Sequence, residues 1–255
     1  MEVESVLVTG ANRGIGLEFV KQLVKLPKPP RFIFATFRNE STAKALQEIQ
    51  DEAKQTEVVL IKMDVTEAED IDKAQKLIEE KVGDSGLNLL INNAGVLRYQ
   101  NFFDITEEDM LFHFRNNAIA PVMVLKKMFP LLQKAAARKM GGMSVSRAAV
   151  LNIAAFLGSV TELTETYPEK WLTVMSYRTS KAALNMAMRV VALTVKDQGV
   201  LVVNMCPGWV KTDMGTENGL LEITDSVSSM METLARLDES HQGVFVNRKG
   251  KTIPF

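Results

Sequence analysis

Short apolar runs alternate with longer segments of helical period along the whole chain, and this alternation constrains the fold more than any other feature. Residues 3–8, 32–36, 58–63, 87–91, 149–154, 200–204 and 244–246 are short enough, and rich enough in aliphatic and β-branched side chains, to be strands buried on both faces. Between them lie helical patterns. The first, 15–26, sets Ile15, Phe19, Leu23 and Leu26 on one stripe until Pro27, Pro29 and Pro30 end it. Others cover 41–53, then a helix opened by a capping box of Thr66 and Glu69 that reaches about residue 82. One more begins near Thr106, with Asp109 three residues on, and runs past an irregularity at Pro121 to residue 136. The last two cover 174–196 and 225–237. Such an order predicts an α/β fold: a doubly wound, mainly parallel sheet of about seven strands with helices on both faces. With 255 residues, 46% of them hydrophobic, the chain is expected to form one domain over 1–255.

Composition narrows the partners. The chain carries 30 basic and 31 acidic residues without a long run of either sign, so neither nucleic acid nor an anionic membrane is expected. Cys206 is the only cysteine, which excludes an intrachain disulfide and a multi-cysteine metal site and suits a reducing compartment. The first nine residues hold two glutamates and lead straight into a strand, and no stretch has the roughly 18 apolar residues of a membrane span. A cytoplasmic protein is the expectation.

Between the first strand and first helix stands Thr9-Gly10-Ala11-Asn12-Arg13-Gly14-Ile15-Gly16. Glycines spaced GxxxGxG here allow positive φ, close backbone approach to a pyrophosphate, and a helix N-terminus aimed at negative charge. The spacing predicts a Rossmann-type phosphate cradle, the alternative being a tight glycine turn that holds no ligand. Four further segments share its order along the chain: Asp64-Val65 after the third strand, Asn92-Asn93-Ala94-Gly95 after the fourth, Tyr177-Arg178-Thr179-Ser180-Lys181, and Pro207-Gly208 with Val210 and Thr212 after the sixth. Together they resemble the short-chain dehydrogenase/reductase family over nearly the whole chain. Ser146 to Val150, Tyr177 to Lys181 and Asn204 to Val210 look closest to its sniffer-like carbonyl reductases.

The resemblance implies a nicotinamide dinucleotide held by Gly10, Asn12, Arg13, Gly14, Ile15 and Gly16, with Asp64 and Val65 at the adenine. It likewise implies Asn93, Ala94 and Gly95 along the cofactor, and Pro207, Gly208, Val210 and Thr212 closing over the nicotinamide. An NAD enzyme places a carboxylate after the second strand to bond the ribose 2′-hydroxyl, whereas a 2′-phosphate calls for arginine. Here that strand ends Ala35-Thr36-Phe37-Arg38, and Arg38 joins Arg13 as a second cation. NADP(H) is therefore the expected cofactor.

Tyr177 and Lys181, four residues apart on a helix, stand on one face. A neighbouring ammonium favours the phenolate and is expected to draw the phenol toward working range. In the family the tyrosine protonates the carbonyl oxygen, the lysine also holds the nicotinamide ribose, and an asparagine completes a water-linked relay; Asn117 fits that place best, with Asn116 beside it. The family's catalytic serine is missing. Its segment N-x-S-S-x-x-G reads Asn152-Ile153-Ala154-Ala155-Phe156-Leu157-Gly158, with Ala155 where the hydroxyl belongs. Ser159 and Thr161 lie close enough in sequence to lean into the site, but the simpler reading is that the hydroxyl is absent. His113 and His241 read as structural, Cys206 as a small core residue, and Met205 or Met214 as pocket linings; no metal site is expected.

These features predict an NADPH-dependent oxidoreductase that reduces a small-molecule carbonyl (an aldehyde, ketone or quinone) to the alcohol at low rate. The alternative is a non-catalytic NADP(H)-binding member acting as a sensor or interaction protein. Specificity falls to the loop 211–223 and the connection 157–172, and a homodimer is expected from the family's habit.

Overall fold

The protein's structure is a computed structural model that describes residues 2–165 and 171–255. Seven strands, β1 (Ser5–Val8), β2 (Phe32–Phe37), β3 (Glu57–Lys62), β4 (Leu89–Asn92), β5 (Ala149–Ile153), β6 (Leu201–Cys206) and β7 (Phe245–Asn247), form one sheet in the order β3-β2-β1-β4-β5-β6-β7. Every neighbouring pair is parallel. This is the expected doubly wound Rossmann-like fold.

Period-two alternation sorts the strand side chains between two cores. Val6, Val8, Ile33, Ala35, Leu89, Ile91, Leu151 and Val203 face a layer that includes Phe19, Val20 and Leu23 of α1 (Gly14–Leu23), Leu46 of α2 (Lys44–Glu52), and Val227 and Met230 of α7 (Ile223–Leu234). Leu7, Phe34, Leu90, Val150 and Val202 face the other layer, built from α3 (Ala68–Val82), α5 (Ala120–Arg138) and α6 (Met175–Thr194). Burial on both faces is why these strands read as continuous apolar runs.

Two helix starts came out differently from each other. The Thr106–Asp109 capping box forms and opens α4 (Glu107–Phe114). The Thr66–Glu69 box does not. α3 begins at Ala68 with no side-chain cap, because Thr66 donates its N–H and hydroxyl to Asp64 Oδ1 at 2.9 and 2.8 Å, a local turn that competes for the same hydroxyl. The irregularity foreseen at Pro121 is a π-helical turn, Arg115–Ile119, separating α4 from α5.

Three buried asparagines in register lock the strands that carry the site. Asn92 of β4 donates to Asn152 of β5 at 2.9 Å, and Asn152 donates to Asn204 of β6 at 3.1 Å. The sheet order reverses between β1 and β4, and a crevice opens there above the carboxyl ends of the strands.

Candidate active site

The glycine turn is shaped by contacts that a side chain would break. Gly10 and Gly14 have φ of +61° and +54°. A Cβ on Gly16 would lie 2.5 Å from Asn93 Nδ2, and one on Gly10 only 3.0 Å from Ala94 Cα. Asn93 Nδ2 in turn donates to the carbonyls of Thr9 and Gly10 at 2.9 and 3.0 Å, while the Thr9 hydroxyl accepts the N–H groups of Asn93 and Ala94 at 3.0 Å. The segments after β1 and β4 thus brace one another. No side chain caps α1, so its first N–H groups remain available to a phosphate. That cradle fits a dinucleotide.

A crevice of about 1820 Å³ runs from this turn across the sheet. Its wall includes Gly10, Asn12, Arg13, Gly14, Ile15, Arg38, Asp64, Val65, Asn93, Ala94, Gly95, Tyr177, Lys181, Pro207, Gly208, Val210 and Thr212, all expected from the sequence. Two expected residues lie behind the wall. Gly16 packs under the turn, and Asn117 is fully buried. The Asn117 amide is consumed: Oδ1 accepts Val96 N–H at 2.9 Å, and Nδ2 donates to Val96 O and Ser180 Oγ, each at 3.0 Å. Asn116 does line the crevice, with its Nδ2 donating to Phe112 O at 2.9 Å.

At the end of the crevice beside β2 and β3, Arg38 Nη1 stands 3.8 Å from Asp64 Oδ2, and Arg13 Nη1 bonds Asp213 Oδ2 at 2.7 Å. Both arginines are largely exposed. Phe37, Asn39 and Thr42 complete that corner.

At the other end α6 places Tyr177 and Lys181 on its inner face, 9% and 5% exposed. Lys181 Nζ donates to Ile153 O at 2.8 Å and lies 5.7 Å from the centre of the Tyr177 ring. The Tyr177 hydroxyl has no hydrogen-bond partner among the described residues and belongs to the crevice wall. Electrostatically the pair departs from the expectation. Burial, with Cys206 and Tyr99 after it, pushes the phenol above its ordinary range, the Lys181 ammonium not being among the influences on it, and burial also lowers Lys181 to about 8.

Ala155 lines the crevice in extended backbone just before a 3-10 turn, Phe156–Gly158. Neither substitute hydroxyl reaches the crevice: Ser159 Oγ donates to Pro254 O at 2.6 Å and Thr161 Oγ1 to Phe255 O. His113 is fully buried with both ring nitrogens engaged, Nε2 by Arg98 N–H at 2.9 Å and Nδ1 by Asp109 O at 2.8 Å. His241 is held by Asp238. Met214 lines the crevice, whereas Met205 is core.

Several wall residues had no motif to reveal them. Trp171 and Trp209 meet edge to face at 5.8 Å, and Tyr99, Phe156 and Leu157 also line the crevice. Cys206, read as core, is buried but also borders the crevice, where its Sγ accepts Phe156 N–H at 3.2 Å and Gly208 N–H at 3.4 Å. Residues 251–254 fold back from the edge strand to form another side.

A glycine cradle, a crevice at the sheet's switch point and a buried tyrosine–lysine pair define a dinucleotide-binding oxidoreductase scaffold. The sequence model of the short chain dehydrogenase family matches residues 4–220, and the chain belongs to that family. The carbonyl reductase Sniffer of D. melanogaster superposes with a TM-score of 0.93 at 34% identity, covering 100% of both chains. An NADPH-bound carbonyl reductase from chicken fatty liver gives 0.93 at 39% identity, again over 100% of both. In sequence, an oxidoreductase of Schizosaccharomyces pombe is 27% identical over 97% of this chain and 96% of its own. No helix among the described residues is long and apolar enough to cross a membrane.

Proposed function

We propose that the protein is an NADP(H)-dependent oxidoreductase that reduces an aldehyde, ketone or quinone to an alcohol, at a low intrinsic rate. The observation that carries this reading is the Tyr177 hydroxyl, unpartnered among the described residues in the crevice wall, on the same helix face as Lys181. The NADPH-bound state of the chicken enzyme supports the choice of cofactor, as does the pair Arg13 and Arg38 at the adenosine corner with no carboxylate ending β2.

Bound in the cradle, NADPH supplies the hydride for the carbonyl carbon. Tyr177 gives its proton to the carbonyl oxygen, so carbon and oxygen are both satisfied in the alcohol. Burial suits this direction, because a phenol held above its ordinary range keeps its proton at neutral pH. Lys181, anchored on Ile153 O, keeps positive charge beside the developing phenolate below about pH 8. Asn117 serves the proton relay through its carbonyl rather than its saturated amide. In an unbroken α-helix that carbonyl would bond the N–H of residue 121, which is a proline.

Ala155 offers no donor to the carbonyl oxygen, a loss of about 10²–10³ in rate, or roughly 3–4 kcal/mol. It is also what favours the second reading, a nearly silent NADP(H)-binding protein that senses or interacts. NADPH oxidation with a panel of aldehydes, quinones and ketones separates them. Ala155→Ser is expected to raise turnover and Tyr177→Phe to abolish it. Turnover seen only in Ala155→Ser supports the silent binder, and activity indifferent to both changes sinks the site.

A further inference from the structure

The turn after β7 presents a cation that the reaction above does not use. Asn247 builds this turn: its Oδ1 accepts the N–H groups of Lys249 and Lys251 at 2.9 and 3.1 Å, and its own N–H donates to Lys251 O at 2.8 Å. Gly250 closes it at φ +84°. The Arg248 carbonyl accepts the Thr233 hydroxyl of α7 at 2.7 Å, so the backbone under this side chain is fixed from two directions.

Arg248 is half-buried and lines the crevice. Its Nη1 lies 3.5 Å from where a Cβ on Gly208 would stand, which sets the guanidinium against the Pro207-Gly208 segment. Among the described residues it makes no ion pair and no hydrogen bond through its guanidinium. The arginines at the adenosine end differ in this respect, since Arg13 has Asp213 and Arg38 faces Asp64. A partly desolvated cation without a partner is costly unless a ligand supplies one. Lys251 borders the same crevice, also without an ion pair among the described residues.

Location ties Arg248 to the reacting end. The positive charges of Arg248 and Lys181 both act on the buried Cys206 thiol, which borders the crevice beside Ala154 and Phe156. Tyr177 and Arg248 line the same crevice, and its wall also includes Ile253 and Pro254.

We propose that Arg248 is a substrate-recognition residue and that the preferred carbonyl substrate carries a carboxylate a short distance from its carbonyl. A guanidinium's fork matches the two oxygens of one carboxylate. This assignment rests on the carbonyl-reductase reading. The experiment compares kcat/KM for 4-carboxybenzaldehyde and its neutral methyl ester, with NADPH, in the wild-type protein and in Arg248→Gln and Arg248→Lys. The wild type is expected to favour the acid by about tenfold or more, Arg248→Gln to bring the acid-to-ester ratio near one, and Arg248→Lys to keep part of it. Turnover of the ester without preference for the acid overturns the proposal but leaves the reductase reading standing, as does a preference that survives Arg248→Gln. A tenfold loss of NADPH affinity with the ratio intact assigns Arg248 to the cofactor and overturns it too. If neither aldehyde turns over, the reductase reading falls, and benzoate titrated onto the NADP+-loaded protein decides through the fluorescence of Trp171 and Trp209. Binding about tenfold weaker in Arg248→Gln supports recognition of the carboxylate; equal binding refutes it.

Discussion

Replacing Lys181 by methionine isolates what it costs to bury an ammonium beside Tyr177. Lys181 is 5% exposed, and its value falls from 10.5 to about 8, chiefly because burial penalises the charged form. That fall corresponds to about 3 kcal/mol of differential interaction between the protonation states. The folded value lies below the unfolded one, so between pH 8 and 10.5 the unfolded chain binds more protons. Below about pH 8 the penalty is fully present, and stability recovers as the pH rises through that window. Lys181→Met removes the titration and also the 2.8 Å bond to Ile153 O, leaving a buried carbonyl at a cost of about 1–3 kcal/mol. At neutral pH the two changes nearly offset each other, so the pH dependence is the diagnostic quantity. Urea unfolding of both cofactor-free proteins at several pH values reads it, and tyrosine ionisation cancels in the difference. Between pH 7 and 10 the wild type should gain about 2–3 kcal/mol on the variant. A difference in stability independent of pH would refute the claim that Lys181 is held charged against its burial.

The adenosine corner predicts unequal roles for its arginines. To meet a 2′-phosphate, Arg13 would have to give up Asp213, whereas Arg38 stands 3.8 Å from Asp64 and is the freer of the two. Arg38→Ala should weaken NADPH by about 10–100-fold and NADH little, with Arg13→Ala weaker in effect. Equal losses for both cofactors by fluorescence titration, or a wild-type NADPH preference under about tenfold, would contradict this. The outer faces of α4–α6 expose Leu111, Ile119, Met123, Met186, Val190 and Leu193, an apolar surface suited to a second copy of the chain. Sedimentation is expected to give a dimer that Met186→Glu with Val190→Glu splits; a wild-type monomer at micromolar concentration would contradict that reading.

What was legible in the sequence follows from how local each determinant is. Strands buried on both faces announce themselves as apolar runs, and a glycine forced by its own neighbours, as at Gly16, leaves a mark on the chain. The Thr106 cap was readable because its box closes within four residues. Thr66 offered the same pattern, but Asp64, two residues back, took the hydroxyl, and competition of that kind is invisible to a spacing rule. Pro121 marked a break without saying that the chain would take a π turn. Arg248 and residues 251–254 reach the crevice only because the edge strand β7 ends beside β6, a placement that no local motif encodes.

The reacting end combines both kinds of determinant. The absence of a hydroxyl at Ala155 is a property of one position, readable from the sequence, and one substitution repairs it. The raised phenol of Tyr177 comes instead from the surroundings, with burial first and the Cys206 and Tyr99 charges after it. Ala155→Ser adds a donor to the carbonyl oxygen but brings no charge to the phenol, so it should raise turnover and leave the alkaline limit of the pH profile in place. Lowering the phenol requires a positive charge nearer than Lys181, whose ammonium is committed to Ile153 O. NADP+, were it held by this cradle, would bring such a charge on its nicotinamide ring, so the alcohol-oxidising direction, which needs the phenolate, would gain from the cofactor what the reducing direction does not require.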